Sequence, residues 1–303
     1  MRLPYIARWW GSAGWSSRFC EGDKGTTDKP RKTLLVFGLC VLLSAVLLSA
    51  CAITTPPATP ALLRLAGANS MAPLLEELSQ AFSAQRSDVI LEVQSGNTAL
   101  GLSLLARGEV ELAAASWLPS ELPSAWVATP IAWDGLAIIV HPSNPVDGLT
   151  LFQLRRVFAG WAFHWQDVGA PIITDEALST IQVISREDGS GTRAVFEQQV
   201  MGNERVTFTA LVMPTSQAVV EYIAEHENAI GYVSMAWADD RVKVLRIEGL
   251  LPTPETVRGG YHLAYPLYLV TRDQPTGLIK AFLDFVLSPA GQSIVGKRYG
   301  RVR

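Results

Sequence analysis

Ser185-Arg186-Glu187-Asp188-Gly189-Ser190-Gly191-Thr192 is the stretch that decides how this chain is read. Ile181, Val183 and Ile184 lead into it as a β-branched run, and a helix-like run over 193–201 follows. The segment therefore reads as strand, glycine-rich turn and helix start. Backbone N–H groups at a helix N-terminus lack intrahelical partners and point at whatever sits there, which suits an anion. Ser190 and Thr192 add hydroxyl donors, and Arg186 adds a planar fork able to grip an oxyanion. Asp188 is the expected partner that holds the fork. The same residues also fit an ordinary capped helix with Ser190 as its cap.

Two similar units lie upstream. Residues 62–66 form a short apolar strand and 67–70 a turn, after which Pro73 opens a helix carrying Leu74, Leu75, Leu78 and Phe82 on one face. A strand over 89–93, a turn over 95–98 and a helix over 100–106 repeat the pattern, and the small-residue strand 112–115 ends at Ser116. In an open α/β sheet, ligands collect at the carboxyl ends of the strands, where these turns lie. Long apolar strands are expected over 133–142 and 261–270. Between them come helices over 151–159 and 216–224 and a strand over 230–233; helices over 277–287 and 289–298 close the chain. Two long strands bracketing a central segment imply two lobes joined by two crossings. The expected division is 62–138 with 266–303 as one lobe and 139–265 as the other.

Residues 1–50 read as leader and signal peptide. Arg31 and Lys32 precede an apolar run over 33–50, and Leu48-Ser49-Ala50-Cys51 ends it. This is a charged region, a hydrophobic region and a small-residue cleavage site with Cys51 just beyond. It resembles the lipobox of bacterial lipoproteins, which makes Cys51 the lipidated first residue of the mature chain and a membrane anchor. A plain transmembrane anchor is the alternative, although 33–50 is barely long enough to span and leaves Cys51 unexplained. Residues 1–30, rich in Trp and Gly and without periodicity, fit an unstructured leader or a start placed too early. Residues 51–61 carry a Pro/Thr tether.

Charge and cysteine usage exclude several classes. Of 25 basic and 28 acidic residues, the leader takes seven and three, which leaves the remainder near −7. That excess argues against nucleic acid, and it requires any anion to be held by local dipoles instead of a general positive field. Cys20 and Cys40 fall in the leader, so with Cys51 lipidated no thiol remains for a disulfide or a metal. His141, His164, His226 and His262 show no ligand spacing, so no metal or other cofactor is expected. An exported hydrolase is disfavoured: Gly189-Ser190-Gly191 is not a nucleophile elbow, and no histidine pairs with Ser190. Residues 291–298 nearly spell a P-loop but lack its final Ser/Thr and its preceding strand.

Markers in a fixed order now add a family. They are Gly67-Ala68-Asn69-Ser70-Met71-Ala72-Pro73, Trp133-Asp134-Gly135-Leu136-Ala137, His141-Pro142-Ser143-Asn144-Pro145 and Trp165-Gln166-Asp167-Val168-Gly169. The segment from Arg186 to Thr192 and Ile230-Gly231-Tyr232-Val233 complete them. Over 62–300 the chain resembles the periplasmic phosphate-binding proteins of ABC transporters. The resemblance implies an α/β Venus-flytrap of the type II periplasmic-binding kind, each lobe a mixed sheet flanked by helices. It also implies a monomer outside the cytoplasm that buries inorganic phosphate and hands it to an ABC permease with its ATPase.

Carried over by position, the ligand contacts are Asn69, Ser70, Thr98, Ser116, Arg186, Ser190, Gly191 and Thr192, with Asp188 behind Arg186. Ser116 stands where some members place an acidic residue that accepts the phosphate proton. Trp117 follows where serine-type members often have arginine. These departures keep sulfate, molybdate and tungstate open as ligands, and a sensor or adhesion lipoprotein open as a role.

Overall fold

Apolar alternation in the strands and single apolar faces on the helices produce a layered α/β structure with helices on both faces of one curled sheet. The computed structural model describes residues 60–303. The leader, the lipobox with Cys51 and the tether up to residue 59 lie outside the described residues.

The chain opens with β1 (Ala61–Ala68), a 3-10 turn (Asn69–Met71), α1 (Ala72–Gln85), β2 (Val89–Gly96), α2 (Thr98–Arg107) and β3 (Leu112–Ala115). Strand β1 pairs in parallel with both β2 and β3, so the turns after all three strands emerge at one edge. Leu63 and Leu65 of β1 face Leu74, Leu75, Leu78 and Phe82 of α1, while Ala66 faces Leu104 and Leu105 of α2. Helix α2 starts where the Asn97 side chain accepts the Leu100 N–H at 2.8 Å, and it ends at left-handed Gly108.

Strand β4 (Val127–Val140) crosses the molecule. It begins six residues before the expected start, because Val127–Trp133 pairs with β11 (Ala264–Thr271) through a bulge opposite Leu267 and Tyr268. Pro130, which has no N–H for a regular ladder, sits at that irregularity. Beyond Gly135 the strand changes partner: Leu136 to Val140 pair with β8 (Ala229–Ser234). Strand β11 starts three residues later than expected, and Tyr261 to Leu263 form the approach to it.

The segment between β4 and β11 contains β5 (Gly148–Leu149), α3 (Leu151–Phe158), α4 (Glu176–Ser179), β6 (Gln182–Arg186) and α5 (Gly191–Phe196). Helix α5 runs on as a π-helical turn to Met201. Then come β7 (Leu211–Met213), α6 (Ser216–Glu225), β8 and the short β9 (Lys243–Val244) and β10 (Arg246–Ile247). Strand β6 is parallel to β7 and β8. Val219, Val220 and Ile223 of α6 cover one face against Ile139 and Ile184. Phe158 of α3 and Phe196 of α5 cover the other, where Phe196 stacks on Tyr232 at 4.1 Å. After β11, α7 (Gly277–Leu287) and α8 (Pro289–Val295) return to the first half, where Phe282 meets Phe82 edge-on.

The strand order is β2-β1-β3-β11-β4-β8-β6-β7, with β9 on β4. Parallel strands of the two halves thus end toward each other across the partner change in β4.

Candidate functional site

Four turns at carboxyl ends of parallel strands meet in this region. They follow β1 (Asn69, Ser70), β2 (Asn97, Thr98), β6 (Arg186 to Thr192) and β7 (Thr215, Ser216), and Ser116 joins them from the end of β3. Together they line a narrow space walled by Ala68, Asn69, Ser70, Gly96, Asn97, Ser116, Arg186, Ser190, Gly191 and Thr192. Seven of the eight ligand contacts carried over by sequence line it directly. Thr98 stands just behind, its hydroxyl 3.4 Å from that of Ser116 and accepting the Ser116 N–H at 3.3 Å.

Each contributor is fixed locally. The turn from Glu187 to Ser190 closes with the Ser190 N–H donating to the Glu187 carbonyl at 3.2 Å. Its third residue, Gly189, has a φ of +83°, a conformation that favours glycine. Ser190 then caps α5 by accepting the Arg193 N–H. Gly191 packs so closely on Ser116 and Thr98 that a Cβ there would collide with both hydroxyls. Tyr232, pushed up to about 12 by burial, stays neutral; its hydroxyl bonds Ser185 at 2.8 Å and accepts the Arg186 N–H at 3.3 Å.

Among the described residues, Arg186 is the only charged side chain lining the space, and it is 2% exposed. Its Nε and Nη2 donate to the Glu187 carboxylate at 2.9 and 3.1 Å, and Nη1 donates to the Ser216 hydroxyl at 3.0 Å. Here the sequence reading is corrected. Asp188 does not back Arg186; it occupies the second position of the turn, where a side chain projects outward, and its side chain is 96% exposed. It pairs instead with Arg193 at 2.7 Å. Glu187 takes the orienting role.

Sequence reading also missed Ser216 and Asn97. Both carried a signal of the kind used elsewhere: a small polar residue where a helix begins after a strand. Ser216 is fully buried, and its N–H donates to the Asn69 side chain at 3.0 Å, a bond that joins the two halves of the sheet. A second link runs from the Ala99 N–H to the Gly189 carbonyl at 3.3 Å. Trp117 lies outside the space, half-buried in the wall of an adjoining cleft of about 320 Å³ that Ser190 also lines.

The chemistry of the lining is that of a donor cradle. The Ser70 hydroxyl is buried without a hydrogen-bond partner, a costly state that an acceptor in the space relieves. Arg186 and Glu187 nearly cancel in charge, so attraction rests on oriented N–H and O–H groups and helix starts. Among the described residues, no group of three or more His, Cys, Asp or Glu side chains is arranged to hold a metal ion.

The family model of the PBP superfamily domain matches residues 54–290. The phosphate-binding protein PstS of Bacillus subtilis is 28% identical over 235 residues, covering 75% of each chain. A crystal structure from Clostridium perfringens, described as a phosphate ABC transporter substrate-binding protein with bound phosphate, is 32% identical. It covers 80% of this chain and 100% of its own, with a TM-score of 0.73. An ABC-type phosphate transport receptor from Vibrio cholerae is 27% identical, covering 78% and 99%, with a TM-score of 0.66.

Proposed function

This chain belongs to the PBP superfamily, and from that premise we propose that it captures inorganic phosphate between two lobes and delivers it to an ABC importer. The observation that carries this reading is the donor cradle: one buried guanidinium, several buried hydroxyls and an unpartnered Ser70 hydroxyl converge on one narrow space. A buried anion is costly unless each oxygen finds donors, and this lining is built of donors. The names of the relatives from Bacillus subtilis, Clostridium perfringens and Vibrio cholerae support the same ligand and the same transporter class.

In this reading Asn69, Ser70, Thr98, Ser116, Arg186, Ser190, Gly191 and Thr192 hold the anion, and Glu187 and Ser216 orient Arg186. The lobes are 62–138 with 266–303 and 139–265, hinged near the partner change in β4. Phosphate docks on one lobe and closure buries it; the Asn69–Ser216 and Ala99–Gly189 bonds hold the closed form. The protein acts as a binding subunit and not as an enzyme. It is a monomer that works outside the cytoplasm, tethered through a lipid on Cys51.

Sulfate is the competing ligand, because no carboxylate lines the space to repel a fully ionised tetrahedral anion. Calorimetric titration of the full-length protein in detergent, freed of carried-over phosphate, tests the choice. Tight phosphate binding with little response to sulfate, molybdate or tungstate is expected. Preference for another oxyanion would change the substrate, and silence for all four would leave the sensor or adhesion role.

A further inference from the structure

Arg193 does not line the anion cradle, yet it is bonded to both ends and to the middle of the turn that forms the charged side. Its Nη1 donates to the Arg186 carbonyl at 3.0 Å, where β6 ends, and to the Asp188 carboxylate at 2.7 Å, within the turn. Its Nε donates to the Glu197 carboxylate at 2.8 Å, one helical turn further along. Its own N–H donates to the Ser190 hydroxyl at 3.3 Å. We propose that Arg193 is a positioning residue for the anion, a strut that fixes the end of β6 against α5 and so sets where Arg186 and Ser190 point. The inference rests on the anion-capture reading above.

Each bond has a consequence at the cradle. The Tyr232 hydroxyl accepts the Arg186 N–H at 3.3 Å, and Arg193 takes the carbonyl on the other side of the same Cα. With its backbone held from both sides, the Arg186 guanidinium is aimed by Glu187 and Ser216. A serine oxygen that accepts the Arg193 N–H keeps its single proton free to donate, and Ser190 lines the cradle. The turn itself is weakly constrained: it contains Gly189 at a φ of +83°, and it closes on one long bond, from the Ser190 N–H to the Glu187 carbonyl at 3.2 Å. Glycine is the most conformationally free residue, so such a turn gains most from an outside brace. A planar guanidinium suits that task, because it holds several acceptors at fixed angles where an ammonium supplies only a point charge.

The surroundings of Arg193 argue against a simpler use as a charge that attracts the anion. Asp188 and Glu197 set two carboxylates against one guanidinium, which leaves the cluster acidic. Geometry, not charge, is what Arg193 supplies.

Phosphate affinity of the full-length protein, measured beside Arg193→Met and Arg193→Lys at low and at high salt, tests the strut. Arg193→Met should weaken phosphate about tenfold at both salt levels. Arg193→Lys should stay within about threefold of Arg193→Met, because it restores the charge without the fork. Recovery by lysine, or a loss that disappears at high salt, would make Arg193 a mere charge and overturn the proposal. Unchanged affinity in Arg193→Met, whatever its melting temperature, would leave it a structural residue and overturn the proposal equally. If Arg193→Met does not fold, Arg193→Lys decides alone: a loss that persists at high salt keeps the strut, and full affinity ends it. If the unmodified protein binds no phosphate, the anion reading fails and the strut is judged without ligand. Amide hydrogen exchange across 186–192 should then quicken by about tenfold in Arg193→Lys, and equal rates in the two proteins end the proposal.

Discussion

The two sides of the cradle are built differently. On the first side, Asn69, Ser70, Asn97, Thr98 and Ser116 are neutral, the Ser70 hydroxyl has no partner, and the Thr98–Ser116 contact is long at 3.4 Å. On the second, Arg186 is already engaged by Glu187 and Ser216, Ser190 is engaged as a cap, and the turn is closed by its own hydrogen bond. The charged side is already hydrogen-bonded within the protein, and the neutral side keeps one hydroxyl, that of Ser70, without a partner. Under the proposed function, pre-organisation lowers the cost of binding on the charged side, while the unpartnered Ser70 hydroxyl on the neutral side supplies a gain when an acceptor reaches it.

Removing the charged side should hurt most. Arg186→Ala removes the cation of the cradle and leaves Glu187 behind it unpaired, and phosphate binding should fall by about 100-fold or more, read by calorimetry with the fold checked by circular dichroism. On the neutral side, Ser70→Ala removes one waiting donor and should weaken phosphate about tenfold, roughly 1.4 kcal/mol, leaving the melting temperature unchanged or higher. If Ser70→Ala cost as much as Arg186→Ala, the contrast between the sides would collapse.

Glu187→Gln tests stability instead of affinity. It strips a buried cation of its partner and should cost about 2 kcal/mol in thermal or urea unfolding without ligand, after allowance for the quarter exposure of Glu187. Saturating phosphate should recover most of that loss, because the anion replaces the missing charge. The smallest effect belongs to Asp188→Asn, whose exposed pair with Arg193 should change phosphate affinity less than about twofold. A loss of phosphate affinity approaching that of Arg186→Ala would restore Asp188 to the orienting role.

Much of this arrangement was legible in the chain because its signals are local. Strand, small polar turn and capped helix can be read within a dozen residues, so Asn69, Ser70, Ser190, Gly191 and Thr192 fall where the pattern puts them. Glu187 and Asp188 differ only in their place within one four-residue turn, and composition does not say which of them turns outward. The early part of β4 was hidden by Pro130, since proline argues against a strand unless a bulge receives it. Ser216 carries no mark in the chain beyond opening a helix; only the fold brings β7 beside β6 and aims that helix start at Arg186.

Strand β11 lies between β3 and β4 although some 150 residues of chain separate it from β3. The first half-sheet is therefore unfinished until nearly the whole polypeptide has been made, whereas the segment between the crossings has all its strands except its share of β4 within 139–265. Such non-local closure slows folding and leaves β3 and β4 with exposed edges in the growing chain. During synthesis the half that opens the described chain is the half completed last.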